Sequence, residues 1–409
     1  MVNIEGIRLI TVKTRRGTPN SHDPRINSLS KQNCINACIE ADLAGVDEGI
    51  MLDVNGNVST CNSTNFFIFK NGEIWTSTGE FCLPGVTRKA VIDICRRNKI
   101  SIKDKYLFFL TNSANVKKNI KIAWDPGNGS SGEIISRLTK KLNGKHYLIN
   151  EKIDGSFPAH HPDPTVAKNL KQLINLVKKK KCDFGFAFDG DGDRLGVVDN
   201  EGKIIYADKI VAFLAKDVLL KKPKSKIILD IKSSQIVFNE IKKLKGKPFF
   251  WKTGHSLIKE KMKETKAIFA GEMSGHIFFA DKYYGFDDAI YASIRFLNLF
   301  CDSNKSLSKI FGDMEKSYNT PELRFNTTET EKFTIVEKLK KKLKKEKKKF
   351  IAIDGVRYST KEGWWLVRAS NTQNIIVARC EAYTKKNLNK VKLNLRKNLK
   401  KCSFKVPKF

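Results

Sequence analysis

The chain has 409 residues, 41% of them hydrophobic, and carries a formal charge of +33. That length supports two to four domains with ordinary cores, and no apolar run approaches the roughly 18 residues of a membrane span, so no membrane partner is expected. The lysines are scattered, with runs at 178–181 and 338–350 and no zinc-finger or arginine-rich motif, which argues for a solvated basic surface and against a specific nucleic-acid reader.

Taken in chain order, "IRLITVKT" reads as a strand, "SKQNCINACIEADLAG" as a helix and "GIMLD" as a strand. "DVNGNV" follows as an Asn-Gly turn. "FFIFKNGEIWT" predicts a hairpin turning at Asn71-Gly72, and a helix is expected from Thr87 to Arg97. Near residue 118 the pattern changes. "IKIAWD" is a buried strand running into the turn "PGNGSSG" and the helix "EIISRLTKKL". "DFGFAFD" is the strand that delivers an acidic loop, with the helix "KIVAFLAKDVLL" beyond it. After Pro223 comes a second strand-helix series: "KIILDI", "SSQIVFNEIKKL", "KPFFWKTG", "SLIKEKMKET", "AIFAGEMSG" and "AIYASIRFLNLF". Such alternation implies mixed sheets covered by helices. A linker is expected around 302–324, followed by a segment of helix, strand, turn and strand. Its lysine run places Ile335, Leu339 and Leu343 on one helical face.

Nine cysteines show no CxxC pair, which suits free thiols in a reducing compartment. Cys34 and Cys38 share a helical face and are expected to pack in a core. With no secretory signal pattern at the N-terminus, a cytoplasmic protein is expected.

The stretch "DGDGDR" alternates Asp189, Asp191 and Asp193 with glycines. Carboxylates at i, i+2 and i+4 do not share a helix face, but a folded glycine loop converges them on one hard cation such as Mg2+. Arg194 adds a planar fork of donors for phosphate or for a carboxylate. An EF-hand is excluded, because its twelfth place is Asn200. "GEMSGH" offers Glu272, Ser274 and His276 for sugar hydroxyls, with His276 able to exchange a proton near pH 7 or simply to cap the strand end. "WKTGHSLIK" offers Lys252 and His255 to an anion. "RASNTQ" sets Arg368, Ser370, Asn371 and Thr372 in a turn between strands, either a phosphate cradle or a well-bonded turn. "FPAHHPDPT", with His160 and His161, reads as an ordered Pro-rich loop.

With "DPGNGSSG", "DGSFPAHHPDPT", "FDGDGDRLGVVD", "WKTGHSLIK", "GEMSGHIFF" and "VRASNT" together, residues from about 118 onward resemble the phosphomannomutase/phosphoglucomutase family of alpha-D-phosphohexomutases. The resemblance implies interconversion of hexose 6-phosphate and hexose 1-phosphate (mannose or glucose) through a hexose 1,6-bisphosphate, with magnesium. It implies Asp189, Asp191 and Asp193 as metal ligands, and Arg194 and His276 as catalytic residues. Lys252, His255, Glu272, Ser274, Arg368, Ser370, Asn371 and Thr372 would bind substrate. Gln373 and Asn374 stand where the family pattern continues with Glu and Pro. The family's phosphoserine lies in its first domain, which the leading residues do not resemble. "TPNSHDP" is similar to its serine loop and would nominate Ser21, but Asp23 replaces the usual Asn and the flanks differ, so an ordinary turn is preferred.

Those flanks, with "SKQNCINACIEADLAG" and "LPGVTR", resemble the C-terminal half of class IV aminotransferases. That implies a pyridoxal phosphate site, with Lys31 for the Schiff base and Val86 and Thr87 at a helix start for its phosphate. Thr60 stands where the glutamate that partners the pyridine nitrogen is expected. The whole is expected to be a multidomain α/β protein. A partial aminotransferase-like α+β segment (1–100) and a junction (101–118) would precede phosphohexomutase-like domains two (119–222), three (223–318) and four (319–409). A non-catalytic sugar-phosphate-binding protein is the alternative of a different class.

Overall fold

The computed structural model describes residues 8–16, 32–54, 56–62, 64–70, 73–77, 91–92, 95, 101–116, 119–370, 373–402 and 404. Residues 1–113 form one unit and residues 114–409 another.

In the first unit the strand Leu9–Arg15 pairs in parallel with Glu48–Leu52, which turns through Gly56 into the antiparallel strand Val58–Cys61. Helix Gln32–Leu43 covers this sheet through Ala37, which joins Val12 and Met51 in a small core. Cys34 packs beside that core, but Cys38 is exposed, contrary to the core placement expected for both. One turn of helix separates them, yet the apolar face is too narrow to cover the second thiol. The expected hairpin forms between Phe67–Lys70 and Glu73–Thr76. The stretch read as a junction is structured: strand Ser101–Asp104 adds in parallel to Glu73–Thr76, and helix Lys105–Ser113 follows, burying Leu107 and Leu110. The helix expected at 87–97 falls largely outside the described residues, as do Ser21, Lys31, Val86 and Thr87.

The second unit carries three sheets. The first orders the strands 204–205, 195–199, 184–188, 121–125 and 145–148. Lys121–Asp125 and Phe184–Phe188 run parallel, and Leu195–Asp199 returns antiparallel to the latter. Strand Phe184–Phe188 is buried at every position, so it reads as a continuous apolar run with no alternation. The second sheet holds Lys226–Asp230 between parallel strands Lys247–Trp251 and Phe269–Gly271, with Ile277–Phe279 antiparallel at the edge. Helix Ala289–Cys301 ties the two together. Phe296 meets Phe184, Phe186 and Phe213 with ring centroids 4.8–5.6 Å apart. In both sheets the polar loops leave the carboxyl ends of parallel strands, the edge at which open α/β sheets bind ligands.

The third sheet is antiparallel, with Gly363–Ala369 beside Ile375–Ala382 at its centre. Helix Glu329–Lys345 buries Ile335, Leu339 and Leu343 against it, as the lysine-run periodicity predicts. Two expectations change here. The linker at 302–324 contains helix Leu307–Gly312 and strand Tyr318–Asn319, and strand Leu323–Asn326 begins within it. A final helix, Lys385–Lys400, buries Val391, Leu395 and Leu399 although its other positions are mostly lysine and asparagine. The third sheet is joined to the second through Arg357. It is fully buried, lies over the Trp364 ring at 3.5 Å, and donates to the Ile231 and Ser233 carbonyls at 2.7 and 2.8 Å.

Nearby, Asp230 is also fully buried. Its Oδ1 accepts from Ser233 Oγ at 2.6 Å, and its Oδ2 has no partner among the described residues. Burial raises its pKa; Lys232 opposes this and Glu272 adds to it, for a value of about 6. The folded chain therefore holds this proton more tightly than the unfolded chain does, and stability drains away as pH rises from about 4 to about 6. Asp230→Asn keeps the serine bond without the charge. Urea unfolding should show the variant more stable than the parent by about 3 kcal/mol above pH ~7, with no difference below pH ~4.

Candidate functional site

The acidic loop is shaped by its first carboxylate. Asp189 is buried, and its Oδ1 accepts from the backbone N–H groups of Gly192, Asp193 and Arg194 at 3.0–3.1 Å. Its Oδ2 accepts from Arg194 Nε at 2.6 Å. Burial alone would raise the pKa of Asp189, but Arg194 and these N–H groups outweigh it and hold the carboxyl below its usual range. The glycines permit the fold: Gly192 sits at φ +80°, and a Cβ on Gly129 would lie 2.6 Å from the Gly190 carbonyl. The loop at 125–132 therefore lies directly against the acidic one.

The fold brings Asp189, Asp191 and Asp193 together, with one carboxylate oxygen from each within 4.8 Å of the others. Asp193 Oδ1 is buried and lacks a hydrogen bond, though His276 Nε2 stands 3.4 Å away. Asp191 is exposed at the loop tip, yet crowding of its carboxylate by the folded loop, then the charges of Asp193 and Asp189, push it up to about 6. Three converging oxygens that repel one another, one of them unsatisfied, are a donor set that fits a hard divalent cation.

Arg194 connects this loop to the next. It forms an antiparallel bridge with His276, and Leu195 N donates to the Gly275 carbonyl at 3.0 Å. Gly275 lies at φ +100°, and a Cβ there would stand 3.1 Å from the Leu195 carbonyl. Within the loop His276 Nδ1 is 2.7 Å from Ser274 Oγ and 3.2 Å from Glu272 Oε2. Burial would lower the pKa of His276, but Asp193 and Glu272 outweigh it and raise it to about 10, well above the near-neutral titration expected from sequence. Asp193, His276 and Asp287 also cluster within 4.8 Å. A protonated imidazole offers no lone pair, so this second cluster is an ion-paired one. Asp287 is held by Lys259 Nζ at 2.9 Å and His255 Nδ1 at 3.3 Å, and the His255 and His276 rings stack at 5.5 Å.

Glu272 Oε1 then accepts from the Gly254 N–H at 2.7 Å, and the adjacent Thr253 N–H donates to Asp354 Oδ2 at 3.1 Å. The same oxygen accepts from Arg368 Nε at 2.9 Å. Hydrogen bonds, ion pairs and backbone bridges thus run without a break from Asp189 to Arg368. Ser370 Oγ accepts from Gln373 N at 3.2 Å and closes the turn, while Asn371 and Thr372 lie outside the described residues. Lys252 is exposed and takes no part in the network.

Sequence reasoning missed Asp287, Lys259 and Asp354. Lys259 stands four residues after His255 on one helix face, a readable signal. Asp354 precedes a glycine and looks like any turn.

Three sequence profiles of one family match in order: "Phosphoglucomutase/phosphomannomutase, alpha/beta/alpha domain II" over residues 104–202, "alpha/beta/alpha domain III" over 206–318, and "C-terminal domain" over 322–398. The chain belongs to the phosphoglucomutase/phosphomannomutase family. It is 41% identical over 309 residues to the phosphomannomutase/phosphoglucomutase of Pseudomonas aeruginosa, covering 76% of this chain and 67% of that protein. It is 40% identical over 292 residues to the phosphoglucomutase of Neisseria meningitidis serogroup A, covering 71% of this chain and 63% of the relative. The crystal structure of a phosphoglucomutase/phosphomannomutase family protein from Burkholderia thailandensis superposes with a TM-score of 0.69 at 34% identity, over 79% of this chain and 71% of that one.

Residues 2–108 match a different profile, "Amino-transferase class IV". Thr60, the one described residue nominated for that site, does not fit pyridoxal phosphate. At the place of the pyridine partner, its hydroxyl donates to the Thr64 carbonyl at 2.6 Å, and a neutral hydroxyl does not hold a pyridinium proton.

Proposed function

We propose that residues 114–409 bind Mg2+ and a hexose phosphate in one cleft, the binding half of the interconversion of hexose 6-phosphate and hexose 1-phosphate through a hexose 1,6-bisphosphate. The observation that carries this reading is the unbroken chain of contacts from Asp189 through Arg194, His276, Glu272, Thr253 and Asp354 to Arg368. Asp189, Asp191 and Asp193 would hold the metal, which when bound supplies positive charge against a phosphoryl oxygen. Arg194 fixes Asp189 and keeps the loop folded. His276, protonated between two carboxylates, serves as the proton donor to a bridging oxygen. Ser274 offers its hydroxyl to a sugar hydroxyl. Glu272, with both oxygens engaged inside the protein, holds the sugar loop in shape. Arg368 and Ser370 take the phosphate that does not react. The eight described cysteines are all free, which supports a reducing, cytoplasmic setting.

Transfer also needs a phosphoryl donor. The leading residues match the aminotransferase profile, and we give Ser21 no donor role. An assay primed with glucose 1,6-bisphosphate is expected to show binding but slow conversion of glucose 1-phosphate, with Ser21→Ala unchanged from the parent. Rapid turnover that disappears in Ser21→Ala would contradict this, and failure of the parent to bind any hexose phosphate would overturn the reading as a whole.

A further inference from the structure

Two of the buried donors in the second unit that have no hydrogen-bond partner among the described residues stand in different sheets: Thr253 Oγ1, in the loop after strand Lys247–Trp251, and Arg368 Nη2, near the end of strand Gly363–Ala369. One atom joins them. Asp354 Oδ2 accepts from the Thr253 backbone N–H at 3.1 Å and from Arg368 Nε at 2.9 Å. The Arg368 side chain is 7% exposed and that of Asp354 15%, so solvent screens the pair little.

The backbone fixes Asp354 in place. Gly355, next in sequence, adopts φ +81°, and a Cβ there would lie 2.2 Å from the Val367 carbonyl and 2.7 Å from Arg368 Cα. Only glycine permits this approach, which lays Asp354 along the arginine that its carboxylate orients. On the other side, the next amide after Thr253 is Gly254, which donates to Glu272 of the sugar loop. Two consecutive N–H groups thus clip the loop at 252–254 to a carboxylate of the third sheet and a carboxylate of the second.

We propose that Asp354 is a positioning residue for phosphate recognition, its single oxygen docking the end of the Arg368 strand on the Thr253 loop so that Arg368 Nη2 and Thr253 Oγ1 face one phosphate monoester of the sugar. This rests on the hexose-phosphate reading above. The carboxylate fixes the guanidinium through Nε and leaves Nη2 a donor with unused capacity, and a fixed planar guanidinium is what recognition of an oxyanion requires. The threonine hydroxyl supplies a neutral donor beside it.

The test is calorimetric titration of glucose 1,6-bisphosphate and of Mg2+ into the full chain, three variants at Thr253 and Asp354, and Arg368→Ala as a reference. Thr253→Val removes the hydroxyl and keeps the backbone bond to Asp354, so the fold is retained. It should weaken sugar bisphosphate binding by about 10-fold. Asp354→Ala should weaken it by more, and Asp354→Asn, which keeps an acceptor oxygen, should recover part of the loss. Mg2+ affinity should be unchanged in all three, a split that general unfolding would not produce. If the parent binds and Arg368→Ala abolishes binding while Thr253→Val and Asp354→Asn match the parent, the assignment of Asp354 and Thr253 is wrong and the hexose-phosphate reading stands. If the parent does not bind, both fall.

Discussion

Asp191→Ala should lower Mg2+ affinity by roughly 100-fold or more and leave the metal-free chain at least as stable as its parent. The two halves of this expectation share one cause. Three carboxylate oxygens held within 4.8 Å repel one another without a cation, and Asp191 bears the strain, its pKa lifted to about 6 by crowding within the loop, although the residue is exposed, and by its two neighbours. Removing it relieves the repulsion and at the same time removes a ligand. Asp189 behaves differently, because it also accepts three backbone N–H groups and Arg194. Asp189→Ala should lose both the metal and the loop. Titration calorimetry with Mg2+, paired with urea unfolding in chelator, separates the two variants. An Asp191→Ala chain that binds Mg2+ as the parent does would place the metal elsewhere.

Arg368→Ala should reduce glucose 6-phosphate affinity by about 100-fold or more, since charge-assisted bonds to a dianion are among the strongest a side chain makes. Arg368 is buried, with Nε committed to Asp354 and Nη2 without a partner among the described residues, so the fork is anchored through Nε and Nη2 keeps its donor capacity unused. Arg368→Lys keeps the charge but not the planar pair of donors and should recover only part of the affinity. Mg2+ binding should survive both changes, because Asp189, Asp191 and Asp193 lie at the far end of the contact chain. Equal glucose 6-phosphate affinity in Arg368→Ala and the parent would remove the phosphate role from Arg368.

The loops that carry chemistry were legible in the sequence for a physical reason. Asp189, Asp191 and Asp193 are separated by glycines that only a folded turn needs, and Arg194 follows at once. Strands buried on both sides, such as Phe184–Phe188, read as short apolar runs bounded by polar loops. What joins the loops was not legible. The bonds from the Gly254 amide to Glu272 and from the Thr253 amide to Asp354 use backbone N–H groups, which leave no mark on residue choice. Helix Lys385–Lys400 escaped because its apolar positions, Leu388, Val391, Leu395 and Leu399, are thinly set among lysines and asparagines, so packing decides what composition obscures. His276 looked like a neutral-pH titrating group because sequence shows neither Asp193 nor Glu272 beside it.

The central claim is that metal and sugar phosphate occupy one cleft, and mutual dependence of their binding tests it most directly. Glucose 1,6-bisphosphate should bind at least about 5-fold more tightly in saturating Mg2+ than in chelator, Mg2+ should gain the same factor from the sugar, and Asp191→Ala should erase the difference. Identical sugar affinities with and without Mg2+, in a chain that binds both, would contradict a shared cleft.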